Sequence, residues 1–505
     1  MILLIQSSQE YNNDLRAMIM AFYPGVKIVE NRDKADSVEF VFCAEYGDIN
    51  TILRIDGSDG KKRDDLNAVI EGNYLDKATF RNKIKMASYR LLCTMTNRVL
   101  PWGDLTGVRP TKIAMSELGR GKSISDTIDN YVKEYDVSER KARLATEVAL
   151  NEMSLTKGID LDKSYSLYVG IPFCPSRCLY CSFASYPISL YQDKSIKYID
   201  KLCEELALIA NAYRHKKLVS IYIGGGTPTS INHELLDKLL SAIDYYFEPD
   251  FDKGFLEYTI EAGRPDSITP QKLEVMKKHR VGRISINPQT MNDATLKTIG
   301  RAHTAKQTEE AFYLARSHGF DNINMDLIAG LPGENLDSMR YTLDKLRCLN
   351  PESITVHSLA IKRAANLRQQ MDTFGDTINQ DMDEMHNMAA ELSRELGMKP
   401  YYLYRQKNIG GNLENVGYAK PGCECLYNVL IMEEMMDIIA AGAGAATKLV
   451  FNPDNGEEHG DNSIFTHQRK IGDINRCRIE RIENCKSVDD YIDRFEEMIA
   501  RKQFL

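Results

Sequence analysis

The 505-residue sequence carries a single tryptophan and no apolar run long enough to cross a bilayer. Its opening, MILLIQSSQE, lacks the charged-then-apolar layout of a secretory leader, and neither end holds repeats or low-complexity tracts. Basic residues do not dominate. The 64 Lys and Arg face 72 Asp and Glu, and a formal charge of −8 argues against a dedicated nucleic-acid binder. The eleven cysteines are odd in number and eight are scattered, which argues against the paired framework of a secreted scaffold. A reducing, cytoplasmic setting is expected, where clustered thiols stay open to metal. What is present is ordinary for a globular protein: 43% hydrophobic and 27% charged residues, on a chain long enough for two or three domains.

Three cysteines are not scattered. The stretch GIPFCPSRCLYCSFASYP, residues 170–187, places Cys174, Cys178 and Cys181 in a C-x3-C-x2-C spacing. A closed zinc site would need a fourth Cys or His at matching spacing. The nearest pair, Cys423 and Cys425, lies far along the chain with one residue between. Three thiolates on a [4Fe–4S] cluster leave one iron open to an exogenous ligand. From residue 160, β-branched runs alternate with amphipathic stretches: SLYVGI (166–171), LVSIYI (218–223), FLEYTIE (255–261), GRISIN (282–287), NINMDLI (322–328) and SITVHSL (353–359). Helices are expected near 190–212, 233–247 and 334–349. Six strand–helix units predict an α/β fold, a partial (β/α)6 barrel, with its working residues where strands end. The cysteine run follows the first strand directly.

IYIGGGTPT (221–229) ends the second expected strand. Three glycines let backbone approach a ligand and expose N–H donors, and the missing GK[ST] disfavours a Walker phosphate loop. Alone, the run also fits a plain turn. Glu261 closes the third strand, Gln289 follows the fourth, Arg301 sits in LKTIGRAHT and Asp326 lies in the fifth strand. Singly, each reads as a satisfied capping or surface group. Their common place at strand ends suits a zwitterionic, ribose-bearing ligand.

With Tyr180 directly before Cys181, the cysteine spacing resembles that of the radical S-adenosylmethionine (SAM) enzymes. The resemblance implies that the cosubstrate's amino and carboxylate groups chelate the open iron. One electron would then cleave its sulfonium to a 5′-deoxyadenosyl radical. The order SLYVGIPFC…GGGTPT…IE…SINPQ…IGRAHT…MDLIAGLPGE, within roughly residues 165–450, resembles more narrowly the oxygen-independent coproporphyrinogen III oxidase family. That resemblance assigns Tyr168 to the methionine group, Tyr180 to the adenine, and Gly225, Gly226 and Thr227 to the methionine ammonium. Glu261, Arg301 and Asp326 match contacts to the same molecule, and Ala360 a backbone contact after the sixth strand. Gln289 matches a contact to a second S-adenosylmethionine. Also implied are a tetrapyrrole substrate, an electron donor such as flavodoxin or ferredoxin, a monomer, and neither membrane span nor nucleic acid.

The run PYYLYRQKNIGGNLENVGYAKPGCECLYNVLIMEEMMDIIAAGAGA (400–445), with LTGVRPTKIA (105–114) and the long N-terminal part, resembles the longer, HemZ-type branch of that family. Arg405 and Lys407 with Tyr401, Tyr402 and Tyr404 suit a flat ring bearing carboxylates, and Arg264 is a further cation. The same tyrosines also fit an exposed surface loop. Tyr168, Gln289 and Arg405 are accordingly the expected catalytic contacts. Two positions depart from the best-understood decarboxylases: Phe183, where a fourth cysteine would stand, and Gly170, where a histidine would stand. The related haem-chaperone branch also lacks that cysteine, but its C-R-H-N motif has an iron-binding histidine where CLYN (425–428) has Tyr427. Oxidative decarboxylation of coproporphyrinogen III propionates to vinyls is the expected reaction, and haem handling the alternative.

The expected domains are an α+β part over 1–155, the barrel over 160–375 and a smaller, mostly helical covering domain over 376–505. VRPTK (108–112) reads as a helix start at Pro110 with a solvated basic face, or as a propionate or partner contact through Arg109 and Lys112.

Overall fold

The structure is a computed structural model; it describes all residues except 32–36, 64, 108, 182–184, 361–380, 407–411, 452–477 and 503–505. The chain begins with the expected β–α–β unit. Strand β1 (Ile2–Gln6), a helix (Asn12–Phe22), and strands β2 (Ile28–Val29) and β3 (Phe40–Glu45) are joined by β4 (Asn50–Gly57) and β5 (Asn67–Glu71) in the order β2-β1-β3-β4-β5. Alternation along β1 and β3 sends Ile2, Leu4, Phe40 and Phe42 to one face, where the helix and a second one (Lys77–Thr96) cover them. This core runs from Ile2 to Leu100.

The second core begins at Trp102 and continues to Met498. Its centre is six parallel strands, all found where the β-branched runs lie: β6 (Ser164–Ile171), β9 (Lys217–Gly225), β10 (Glu257–Glu261), β11 (Arg283–Ser285), β12 (Ile323–Ala329) and β13 (Ser353–Ser358). The short pair β7 (Phe173–Cys174) and β8 (Tyr186–Pro187) brackets the cysteine loop. Helices Gln192–Tyr213, His233–Phe247 and Leu336–Leu349 make crossovers at the expected places. The side chain of Asn232 caps the second by accepting from the Leu235 N–H, and that of Asn335 caps the third by accepting from the Ser338 N–H. Near-continuous burial along β6, β10 and β12 is what a parallel sheet covered on both faces requires.

The C-terminal part differs from expectation. Among the described residues it contributes five strands, β14 (Lys399–Arg405), β15 (Glu414–Ala419), β16 (Asp437–Ala441), β17 (Ala446–Phe451) and β18 (Arg478–Glu483), as well as helices. They extend both edges of the barrel sheet: β15 and β14 beyond β13, and β16, β17 and β18 beyond β6. The edges of an open parallel sheet present unpaired amides and carbonyls, and these strands satisfy them. The region is therefore mixed rather than mostly helical, and it continues the barrel sheet.

The helices Thr111–Gly119, Ile124–Tyr135 and Glu139–Leu155 also belong to the larger core, so the two cores divide near residue 101 rather than near 155. VRPTK is a clasp. Arg109 donates to the Met432 carbonyl at 2.9 Å and pairs with Glu434 at 2.6 Å, and Thr111 donates to Glu433 at 3.0 Å. All three grip the end of a helix, Leu426–Glu433, that starts inside the barrel with Tyr427.

Candidate active site

The cysteine loop leaves β7 beside the end of β9, and the glycine run holds it there. The Gly226 N–H donates to the Ile171 carbonyl at 2.8 Å and the Thr227 N–H to the Phe173 carbonyl at 2.7 Å. A Cβ on Gly226 would stand 2.5 Å from the Phe173 oxygen, so the close approach requires glycine. These amides are spent on the loop, which corrects the expectation that they face a ligand. An ammonium needs acceptors, and the carbonyls of this run are the groups of the right sign.

Thr227 Oγ1 lies 3.5 Å from Cys174 Sγ. Burial pushes the Cys174 thiol up to about 11, the Thr227 hydroxyl acts against that, and Cys181 and Cys178 add to the rise. The Cys178 and Cys181 thiols thus lie within electrostatic reach of Cys174. Among the described residues no group of three His, Cys, Asp or Glu side chains surrounds a single ion. A cluster takes one iron per cysteine and spreads its ligands wider than one ion does. Arg264 lies beneath this loop. Its Nε and Nη2 donate to the two oxygens of Asp266 at 2.9 Å, and Nη1 reaches the Ser176 carbonyl at 3.3 Å and Cys178 Sγ at 3.7 Å. The expectation that it binds a propionate is not met, because its fork is filled by partners that fix the loop.

The strand-end residues lie close to one another. Glu261 at the end of β10 accepts from the Tyr222 hydroxyl on β9. Burial pushes its carboxyl up to about 7; Tyr222 draws it down in part and Asp326 opposes its ionisation. Asp326 on β12 accepts from Asn324 at 2.7 Å, and His357 Nε2 on β13 lies 3.7 Å from its other oxygen. Burial would raise the Asp326 carboxyl, but His357 together with Asn324 and Thr355 holds it below its ordinary value.

Arg301 bridges two strand-end loops, donating to the Asn287 and Gly263 carbonyls at 3.1 Å each, and its Nε is buried without a partner. Gln289 has φ +65°, costly for a non-glycine residue. Its N–H donates to the Asp326 carbonyl at 2.9 Å and its carbonyl accepts from Ile328 at 3.0 Å, while its side-chain Oε1 is buried without a partner. Tyr180 packs against Leu296, Ile299, Ile328, Leu331 and Leu359, close to Arg301 and to the thiols of Cys178 and Cys181. Ala360 follows Leu359, one of these packing partners, and its side chain lies against Met382 and Leu413.

Tyr168 opens a ring stack. Its ring lies 6.3 Å from Tyr222 and 5.9 Å from Tyr427, and Tyr222 and Tyr427 are 4.4 Å apart at 19°. The helix bearing Tyr427 is fixed at its start by the Glu257 carboxylate, which accepts from the Leu426 and Tyr427 N–H groups. Tyr401 and Tyr402 are buried in β14 rather than displayed on a loop, and Tyr402 and Tyr404 stack at 6.1 Å. Arg405 is 3% exposed, over the Trp102 ring, with Nη1 donating to the Leu105 carbonyl at 2.7 Å. It stands opposite Glu414 across β14 and β15. Arg405 thus lies inside the protein rather than on an exposed loop, tied to Leu105 through Nη1 while its Nε and Nη2 are buried without a partner. Lys407 lies outside the described residues.

Tyr222 and His357 are absent from the sequence-based set. Tyr222 was legible two positions before Gly224, and hence on the same strand face. His357 was legible as a lone titratable residue within a β-branched run.

Three buried or half-buried thiols, a glycine cradle, the unpartnered Arg301 Nε and Gln289 Oε1, and two carboxylates fit a cluster with a cationic cosubstrate.

Comparison with known proteins agrees with this geometry. The profile of the Radical SAM superfamily matches residues 168–346. The chain is 42% identical over 373 residues to the oxygen-independent coproporphyrinogen-III oxidase-like protein HemZ of Bacillus subtilis, covering 73% of this chain and 74% of that one. It is 36% identical over 198 residues to the heme chaperone HemW of the same organism, covering 39% of this chain but about half, 51%, of the relative. Among solved structures, coproporphyrinogen III oxidase (HemN) from Escherichia coli shares the fold at a TM-score of 0.50 and 21% identity, covering 68% of this chain and 72% of that one.

Proposed function

The chain belongs to the family of the oxygen-independent coproporphyrinogen-III oxidase-like protein HemZ within the radical SAM superfamily, and from that premise we propose that it oxidatively decarboxylates coproporphyrinogen III propionates to vinyls, giving protoporphyrinogen IX. The superfamily's [4Fe–4S] cluster and S-adenosylmethionine supply, when bound, the one-electron chemistry that activates a C–H bond. Cys174, Cys178 and Cys181 would hold the cluster. Arg264 keeps their loop in place and offers positive charge beside Cys178. The carbonyls of the glycine run, Glu261 and Asp326 suit the cationic end of the cosubstrate, and Arg301 Nε and Gln289 Oε1 offer a donor and an acceptor. Tyr168 and Tyr180 flank this set with apolar faces that exclude water.

The observation that carries the reading over haem handling is Tyr427. It stands where the chaperone branch has its iron-binding histidine, yet it is buried and stacked on Tyr222 and Tyr168. Burial pushes its phenol well above the ordinary range, so the phenolate that would ligate iron is disfavoured. The reduced, reconstituted chain incubated anaerobically with coproporphyrinogen III and S-adenosylmethionine should release carbon dioxide and form the divinyl product. Cosubstrate cleavage without carbon dioxide would remove the substrate assignment. Stable stoichiometric haem binding, seen in the absorption spectrum, would replace it with the chaperone reading.

A further inference from the structure

We infer that His357 is a positioning residue that holds Asp326 ionised and aimed at the cationic cosubstrate; this rests on the reading of Asp326 as an S-adenosylmethionine contact. His357 lies on β13 one register step from Asp326: Asp326 pairs with Thr355 and Ile328 with His357, and two-residue alternation puts Asp326, Thr355 and His357 on one face. Its Nε2 is 3.7 Å from Asp326 Oδ2 and its Nδ1 is 3.5 Å from the Tyr404 hydroxyl, which Gln406 Nε2 approaches at 3.4 Å. The ring is therefore held between a carboxylate and a phenol from two different strands. These distances are long for direct hydrogen bonds and suited to charge attraction, and such contacts tighten when a ligand closes the site.

A counter-charge is needed here. Asp326 and Glu261 act on each other from β12 and β10, and Asn324 and Thr355 supply only neutral partners for Asp326. Without His357, burial and the neighbouring Glu261 would favour the protonated, neutral form of Asp326 until a cation arrived. Arg283 on β11 and Tyr222 on β9 act on Glu261, Tyr402 and Tyr404 on β14 lie near Asp326, and burial holds His386 neutral, with a pKa lowered to about 4. Among the groups that draw the Asp326 carboxyl down against burial, His357 stands first, ahead of Asn324 and Thr355.

The test is equilibrium binding of S-adenosylmethionine to the anaerobically reconstituted full chain, with iron content and melting temperature recorded for each variant. His357→Phe keeps a ring but removes donor and charge, and should weaken binding about tenfold, the scale of a charge-assisted contact. His357→Gln restores a donor without charge and should recover part of that loss. The uncoupled cleavage rate at saturating cosubstrate should stay within about twofold of wild type, since ground-state positioning moves affinity rather than turnover. In an Asp326→Ala background, His357→Phe should have no further effect. Unchanged affinity in His357→Phe alongside a large loss in Asp326→Ala would overturn the proposal. Unchanged affinity in Asp326→Ala would instead overturn the reading of Asp326 beneath it.

Discussion

Glu261 sits where several influences meet: burial and the nearby Asp326 raise its carboxyl, while the Tyr222 hydroxyl, the Gly225 N–H and Arg283 lower it, leaving it at about 7. The sign of the pH dependence follows. Below about pH 7 the side chain is protonated and neutral; above it the carboxylate is available to a sulfonium or ammonium. Affinity for S-adenosylmethionine should be greatest above that value and fall as pH drops, by up to about tenfold per unit. Binding isotherms from about pH 6 to about pH 8 measure this directly. Glu261→Gln should bind as weakly as the acidic wild type and show little pH dependence. A flat wild-type profile would mean that Glu261 does not meet the positive charge. At this scale the sequence was readable through residue type and strand phase, which pick out Glu261, Asp326 and Arg301. It was not readable for Arg264 and Arg405. A guanidinium looks the same in sequence whether it meets a ligand or a buried carbonyl, and only packing shows Asp266 engaging Arg264 and the Leu105 carbonyl engaging Arg405.

At the scale of elements, the decisive join is between the glycine run that ends β9 and the start of the cysteine loop. Two hydrogen bonds from backbone amides and a Cβ-free contact fix a loop that has no helix or strand of its own among its described residues. Gly226→Ala should force Phe173 and Pro172 away, at about 1–3 kcal/mol for an overpacked site. The three thiols would then be misaligned. Iron content after reconstitution should fall more than the melting temperature; full cluster loading in a stable Gly226→Ala chain would show that the join does not set the loop. The strands and crossover helices of the barrel were legible because each repeats one hydrophobic period and ends in a turn or cap signal. The C-terminal strands were not legible. β15 and β16 owe their conformation to the open edges of β13 and β6, a long-range partner that no local pattern records.

For the whole molecule, the question is where one core stops and the next begins. The chain's one tryptophan marks the place. Trp102 is fully buried and its indole N–H donates to Glu414 at 2.6 Å, while Lys141 Nζ reaches the other oxygen at 2.5 Å and Asp383 at 3.0 Å. Burial alone would raise the Glu414 carboxyl, but Lys141, His386 and Trp102 hold it down at about 2. This buried group joins the segment at 102, the helix Glu139–Leu155 and strand β15, so the helical stretch before the barrel is part of the barrel's own core. A chain starting at residue 101 should keep that core and still load its cluster. One starting at residue 156 would lose Trp102 and Lys141, leaving Glu414 buried without its main partners. Removing one partner of a buried pair costs about 3–5 kcal/mol, so Lys141→Met in the full chain should lower stability on that scale in denaturant unfolding. The shorter chain should lose cooperative melting altogether. If it instead melts sharply and binds iron as the full chain does, the division near residue 101 is not the one that governs folding, and the boundary near 155 expected from sequence would be restored.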